Sequence, residues 1–328
     1  MIRLPRIVII GGGTGSFEIL SGLKNYTPNI TALVSMADDG GSTGLLRDEY
    51  GVLPPGDVRK CLVALSRAPK MRDLFNYRYE GGSFAGHTFG NLFLSTVEKM
   101  AGNNFIGAIE LASRMLNIVG RVVPVTLDNV TLVIEEENGR VVRGERNLDD
   151  DIHFKAQRPK IRLEPAAHIT QEGREAILSA DIVAIAPGSL YGSLAAVLVV
   201  DGVVEALKAT KAQKVFICNL VTEHGQTDCF KVHDYAAEIE RFLGGQVKLD
   251  YVLYNTHKPQ KELLSRYYAD EQRTWIEYNT DALAKQHYTA IGDNFISEES
   301  GHPTTLIRHD ADKTALTLQK IYEQTMLE

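Results

Sequence analysis

The chain has 328 residues, 44% of them hydrophobic and 23% charged, and carries a formal net charge of -7. Such a composition belongs to an ordinary globular protein with ample core, and the acidic balance argues against nucleic acid as the main partner. Three dispersed cysteines, Cys61, Cys218 and Cys229, are too few for a disulfide framework or a thiolate zinc site.

No apolar run approaches the ~18 residues that a membrane helix needs. The run Ile7-Val8-Ile9-Ile10 is too short for the core of a signal peptide and passes straight into glycines. The expectation is a cytoplasmic protein with no membrane span.

That first apolar run predicts a strand, and Phe17 to Leu23 has helical spacing. Between them lies Gly11-Gly12-Gly13-Thr14-Gly15-Ser16. A strand, a glycine turn and a helix start together aim backbone N–H groups and a helix N-terminus at a phosphate. As a dinucleotide fingerprint the match is imperfect, since Ser16 stands where the third glycine would be.

Ile30 to Met36 reads as a second buried strand, ending at Ala37-Asp38-Asp39-Gly40-Gly41-Ser42-Thr43-Gly44. The paired acids admit two chemical readings: a ribose-binding acid at the end of a second strand, or a Mg²⁺ ligand set beside phosphates. An Asp-Gly turn with no chemistry is the third. Pro54-Pro55-Gly56 then sets a rigid turn before a helix running to about Ser66, where Asp57 serves as a helix cap or as a further oxygen ligand. Arg47, Arg59 and Lys60 supply positive charge suited to phosphate oxygens.

Met71 to Tyr79 has a helical pattern, Gly81 to His87 a loop, and two helices follow, over Thr88 to Met100 and Asn104 to Leu116. His87 sits accessibly between Gly86 and Thr88. From 120 to 163 the pattern alternates like strands, with Asn138-Gly139 as a hairpin signal. This predicts an antiparallel insertion or an edge of the main sheet. The acidic runs Glu135-Glu136-Glu137 and Asp149-Asp150-Asp151 read as solvated turns.

A βα rhythm then resumes, with a helix over Glu172 to Ala180 and a buried strand over Asp181 to Ala186. Pro187-Gly188-Ser189-Leu190-Tyr191-Gly192-Ser193 reads as a second phosphate cradle, with backbone amides and the Ser189 and Ser193 hydroxyls as donors. Lys214 to Leu220 is a strand leading into 221–227, followed by a helix over Val232 to Leu243 and a strand over Tyr251 to Asn255. A helix near Gln260 to Ala269, a strand over Thr304 to Arg308 and a helix from about Asp312 close the chain.

The fold expected is α/β: one Rossmann-like, doubly wound domain over 1–328, mostly parallel, with helices on both faces and a small antiparallel β insertion near 120–163. Glycine-rich loops at 11–16, 37–44, 187–193 and 219–227 each follow a predicted parallel strand. In an open α/β sheet such loops share the C-terminal edge, where ligands bind.

These strings carry a resemblance. Ile9-Ile10-Gly11-Gly12-Gly13-Thr14-Gly15, the Asp-Asp-Gly-Gly-Ser-Thr-Gly string with Leu46-Arg47, and Pro55-Gly56-Asp57-Val58-Arg59 look like the YvcK family, the gluconeogenesis factors. Gly86-His87, Gly90-Asn91-Leu92 and Pro187-Gly188-Ser189-Leu190-Tyr191 agree, and the likeness covers essentially the whole chain. The family belongs to the superfamily of CofD, the 2-phospho-lactate transferase of coenzyme F420 synthesis.

The resemblance implies a Rossmann-like fold, a site for UDP-sugars such as UDP-N-acetylglucosamine, and a role in growth and cell shape on gluconeogenic carbon sources. In the transferase branch, carboxylates matching Asp38, Asp39 and Asp57 serve a metal and phosphate. Tyr268 and Arg308 match positions tied to UDP-sugar binding. A tyrosine can stack on uracil and an arginine can clamp a diphosphate. The chain departs from the family pattern at Gly192, where threonine is usual. It departs again at Asn219 to Thr227, against the usual Asn-x-Met-Thr-Gln-x-Gly-Glu-Thr.

The candidate ligand-binding set is therefore Gly11, Gly12, Gly13, Thr14, Gly15, Ser16, Asp38, Ser42, Thr43, His87, Asn91, Gly188, Ser189, Leu190, Tyr191, Asn219, Thr222, Tyr268 and Arg308. Asp38, Asp39 and Asp57 are the candidate Mg²⁺ ligands, with Asp39 and Asp57 catalytic if the protein is an enzyme. Three functions follow in order: a UDP-sugar-binding regulator that needs no cofactor and is free to form a homo-oligomer, a Mg²⁺-dependent phosphotransferase, and an NAD(P)-dependent oxidoreductase.

Overall fold

The computed structural model of the chain describes residues 3–148, 158–297 and 307–327. The chain starts in the middle of its main sheet. Strand β1 (Ile7–Gly11) is buried along its whole length, as a strand covered on both faces must be. Helix α1 (Gly13–Leu23) leads to β2 (Ile30–Val34), which runs parallel to β1 with Ile30 opposite Ile7. Five helices follow: α2 (Gly41–Tyr50), α3 (Gly56–Leu65), α4 (Pro69–Asn76), α5 (Phe89–Met100) and α6 (Phe105–Leu116). They deliver the chain to β3 (Arg121–Pro124), parallel to β2.

A separate antiparallel sheet is inserted next, with β4 (Thr131–Glu135) between β5 (Val141–Arg143) and β6 (Lys160–Glu164). The Asn138-Gly139 turn closes the β4–β5 hairpin through Glu136 N–H to the Arg140 carbonyl, 2.9 Å. After α7 (Gln171–Ser179), strand β7 (Ile182–Ile185) returns to the main sheet on the other flank of β1, with Ile182 opposite Ile7. A π-turn, Leu190–Leu194, continues into α8 (Ala195–Leu198), and α9 (Val203–Ala209) leads to β8 (Gln213–Ile217). The remainder is α10 (Val232–Phe242), β9 (Tyr251–Asn255), α11 (Lys261–Glu271), α12 (Thr280–Ala284), β10 (Thr289–Asp293) and α13 (Ala311–Thr325).

The seven parallel strands lie in the order β10-β9-β8-β7-β1-β2-β3. The sheet grows from β1 toward β3, then resumes at β7 and grows the opposite way. The order therefore switches between β1 and β7, and the loops leaving these two strands diverge over a crevice at their C-terminal ends. Helix α1 packs against α3 and α13, burying Ile19, Leu20 and Leu23 completely, at roughly 1.5–3 kcal/mol for each such side chain. Gly22 permits that packing: a Cβ there would lie 2.1 Å from the Ala311 carbonyl oxygen at the start of α13.

Four sequence expectations change. The strand around Val122 joins the main parallel sheet as β3, and only 131–164 forms the antiparallel insertion. The acid loop ends at Gly40, because Gly41 to Gly44 already form the first turn of α2. The edge strand near the end of the chain is Thr289–Asp293; Thr304 to Leu306 and the run Asp149 to Asp151 lie outside the described residues, and Ile307 and Arg308 are not in a strand. The helix read over Met71 to Tyr79 stops at Asn76. Among the described residues no helix is long and apolar enough to cross a membrane.

Candidate functional site

A cavity of about 380 Å³ opens at the switch between β1 and β7. All four glycine-rich loops approach it: Gly12 to Gly15, Asp38, Pro187 to Ser189 with Ser193, and Asn219 to Val221 with Glu223 line its wall. The first and third loops touch directly. A Cβ on Gly15 would fall 1.6 Å from the Pro187 carbonyl oxygen, so only glycine lets the two strands' loops close on one space.

The N-terminus of α1 faces this space with Gly12 as N-cap and no side chain capping it. The first amides of a helix lack intrahelical partners, and together with the helix dipole they favour an anion. Lys60 stands beside them, its Nζ 3.0 Å from Thr14 Oγ1 and 3.3 Å from Asp57 Oδ1. Arg308 also lines the cavity, its Nε 4.0 Å from Glu18 Oε1 of α1. Helix amides, ammonium and guanidinium are the groups here suited to phosphate.

Acids share the same wall, and Asp57 lies directly against Gly12 and Gly13. Asp38, Asp57 and Glu145 all line the cavity. Burial, then repulsion from Asp57, pushes the Asp38 carboxyl up to about 6, against hydrogen bonds from the Gly40 amide and Thr43. Burial followed by the Asp57 and Asp38 charges pushes Glu145 up to about 8, opposed by the Ser193 hydroxyl, which donates to Glu145 Oε1 at 2.7 Å. Among the described residues, no three His, Cys, Asp or Glu side chains are already closed into a metal-binding cluster.

The second cradle expected at 187–193 is filled by the protein itself. The Gly188 amide donates to Asn219 Oδ1 at 3.2 Å, Leu190 N–H to Glu223 Oε2 at 3.3 Å, and Gly192 N–H to Ser189 Oγ at 3.3 Å. Asn219 also donates to the Gly188 carbonyl at 2.8 Å, so it fixes this loop. Ser193 is spent on Glu145. The α1 N-terminus, by contrast, has no side-chain cap.

A family model described as "2-phospho-L-lactate transferase CofD" matches residues 7–296. The chain belongs to the CofD family. CofD-family relatives that resemble it over their whole length include the "Putative gluconeogenesis factor" of Thermotoga maritima, 39% identical over 96% of this chain and 99% of that protein. The "Putative gluconeogenesis factor" of Clostridium acetobutylicum is 40% identical over 100% of this chain and 71% of its own length. A crystal structure of a UPF0052-family protein from Bacillus halodurans superposes with a TM-score of 0.89 at 35% identity, covering 97% of this chain and 100% of that one.

The residues expected from sequence to bind the ligand fall in three groups around the cavity. Gly12, Gly13, Thr14, Gly15, Asp38, Asp57, Gly188, Ser189, Asn219 and Arg308 line it. Gly11 and Ser16 stand just behind, with the Ser16 hydroxyl filling the space over the Gly11 Cα. Ser42, Thr43, His87 and Asn91 form a supporting layer: Asn91 Nδ2 donates to Ser42 Oγ at 3.1 Å, and His87 Nδ1 lies 2.9 Å from the same hydroxyl. Arg59 holds that layer, its Nε donating to Asn91 Oδ1 at 3.0 Å; burial lowers its guanidinium to about 10.

The remaining candidates stand elsewhere. Asp39 turns toward the insertion, where its Oδ1 accepts from the Arg146 amide at 2.9 Å. Leu190 and Tyr191 are fully buried, Tyr191 edge-on to Phe242. Thr222 is buried against Thr274 at 3.1 Å. Tyr268, 60% exposed, lines a neighbouring cavity of about 940 Å³ together with Trp275, Lys258 and Arg273, while Tyr267 lines the first cavity. Arg273 lines both.

Three contributors carried no local sequence signal: Glu145, Arg273 and His309. Burial lowers His309 to about 4, so it is a neutral ring beside the Cys218 carbonyl, 3.1 Å from its Nε2. A Glu in a hairpin insertion looks like any solvated acid until the fold brings it to the wall.

Proposed function

We propose that the cavity binds a nucleoside-diphosphate sugar such as UDP-N-acetylglucosamine, and that the protein is a regulatory binding protein serving growth and cell shape on gluconeogenic carbon sources. The observation that supports this best is the α1 N-terminus, with no side-chain cap, lining one cavity together with Lys60 and Arg308. A diphosphate meets helix amides, an ammonium and a guanidinium there at once. The name "gluconeogenesis factor", carried by relatives such as that of Listeria innocua at 38% identity, supports the physiological half.

Calorimetric titration with UDP-N-acetylglucosamine, with and without Mg²⁺, tests the reading. Saturable binding in the micromolar range is expected. Absence of heat at millimolar ligand overturns it.

The acidic wall favours a second reading, Mg²⁺-dependent transfer of a phosphorus-containing group. Magnesium is commonly held by one or two carboxylates plus substrate phosphates and water rather than by a closed protein cage. Asp38 and Asp57, two crowded acids next to a phosphate cradle, fit that open pattern. Bound there, the ion would neutralise charge on a departing diphosphate. In this reading Lys60 and the α1 amides orient the phosphates, and the crevice walls limit access of water. Phosphorus NMR showing a new product from a nucleoside-diphosphate substrate with Mg²⁺ would establish turnover.

A further inference from the structure

The Asp-Asp pair after β2 divides its labour, and the geometry shows how. Asp38 faces the cavity, whereas Asp39 Oδ1 accepts from the backbone amide of Arg146, 107 residues later in the chain. The other oxygen of Asp39 lies against Gly144, where a Cβ would come within 2.1 Å of it. Gly144 has φ +87, and its amide donates to the Leu132 carbonyl at 2.8 Å, tying the turn to β4. The residue between these two contacts is Glu145. It is the side chain that closes the cavity wall, through Ser193, and a Cβ on Gly192 would reach within 2.7 Å of its Oε1.

We propose that Asp39 is a positioning residue: it clamps the 144–146 backbone of the antiparallel insertion and so sets Glu145 into the cavity, where Glu145 rather than Asp39 meets the ligand. The insertion is then an arm that builds the site. Glu145 Oε1 is held by Ser193, and Oε2 has no hydrogen-bond partner among the described residues, which leaves it for a hydroxyl or amide of the bound molecule. A sugar offers such groups next to a diphosphate, and in this respect the inference rests on the nucleotide-sugar reading above.

The conservative variant separates positioning from charge. Asp39→Asn keeps an oxygen acceptor for the Arg146 amide but cannot serve as an anionic metal ligand. Asp39→Ala removes the acceptor, and Glu145→Ala removes the side chain it positions. For UDP-N-acetylglucosamine the Kd of Asp39→Asn is expected within about threefold of wild type, while Asp39→Ala and Glu145→Ala each weaken it by about tenfold or more. The double alanine variant is expected to be no weaker than the worse single one, because both changes remove one contact.

A second measurement is independent of the ligand. Hydrogen exchange of the Arg146 amide is expected to speed up in Asp39→Ala and stay slow in Asp39→Asn. Binding in wild type with Asp39→Asn as damaged as Asp39→Ala, or loss of Mg²⁺ dependence in Asp39→Asn alone, overturns the proposal. So does unchanged Arg146 exchange in Asp39→Ala. No binding by wild type with the expected exchange pattern leaves the clamp standing and removes the sugar as its purpose.

Discussion

Ser193 donates its hydroxyl to Glu145 Oε1 at 2.7 Å, joining the loop after β7 to the antiparallel insertion across the mouth of the β1–β7 crevice. The contact places a carboxyl in a site already holding Asp38 and Asp57, and its protonation follows from that crowding. Burial first, and the two aspartates second, raise it to about 8 from the ordinary 4.5. A carboxyl with a raised folded value keeps its proton in the fold after the unfolded chain has lost it. The stabilisation is complete below 4.5 and is lost as pH rises through the folded value. His309, lowered to about 4 from 6.5, acts in the opposite sense only below 6.5. The Tm of the ligand-free protein is therefore expected to fall between pH 6.5 and about 8, and the fall to be reduced in Glu145→Gln. Equal slopes for the two proteins in thermal melts would refute this.

Gly15→Ala should be among the most damaging single changes in the molecule. Its Cβ would overlap the Pro187 carbonyl at 1.6 Å, and backbone on both sides leaves nothing flexible to yield. A loss of roughly 3 kcal/mol or more is expected from such overpacking, measured by urea unfolding, together with loss of nucleotide binding.

Lys60 separates binding from stability. Its side chain is about one-third exposed, and its ammonium hydrogen-bonds Thr14 and Asp57. Lys60→Met should lower affinity for a diphosphate ligand by about tenfold to a hundredfold, the scale of a lost charge-assisted hydrogen bond. Its Tm should stay close to wild type. Calorimetry beside a thermal melt checks both halves.

Tyr268 and Tyr267 are adjacent in sequence and face different spaces. Tyr267 lines the first cavity and its hydroxyl accepts from the Ile307 amide at 3.0 Å; Tyr268 lines the second, with Arg273 common to both. A ligand whose base reaches past Arg273 would stack on Tyr268. Tyr268→Ala is then expected to weaken UDP-N-acetylglucosamine by about tenfold and leave inorganic pyrophosphate unaffected. Equal losses for both ligands would show that the tyrosine acts through the fold.

Apolar runs made β1, β2, β7 and β8 readable from sequence, because a strand buried on both faces has little polar alternation to blur it. Strand β10 was missed for the converse reason. Thr289-Ala290-Ile291-Gly292-Asp293 is half exposed and holds one large apolar residue, so its pairing with β9 comes from the fold rather than from its own pattern. The start of α2 was hidden by Gly-Ser-Thr-Gly, poor helix formers held in a first turn by tertiary contacts. The motif string pointed to residues that line the cavity but could not tell Asp38 from Asp39, since only the distant Arg146 amide separates their surroundings. Glu145 has no motif at all; its role exists only through β4, β5 and Ser193.

The contact of Gly22 with the Ala311 carbonyl has a consequence for how the protein is made. Helix α1, whose first turn carries the glycine cradle, rests on a helix that begins at residue 311, and Tyr322 reaches back to donate to the Arg3 carbonyl at 2.9 Å. Contacts so distant in sequence form late, after the entropy of closing the intervening chain has been met. The cradle at residues 11–16 is synthesised long before its supporting surface, which begins at residue 311. A nascent chain lacking α13 has the glycines and not the site.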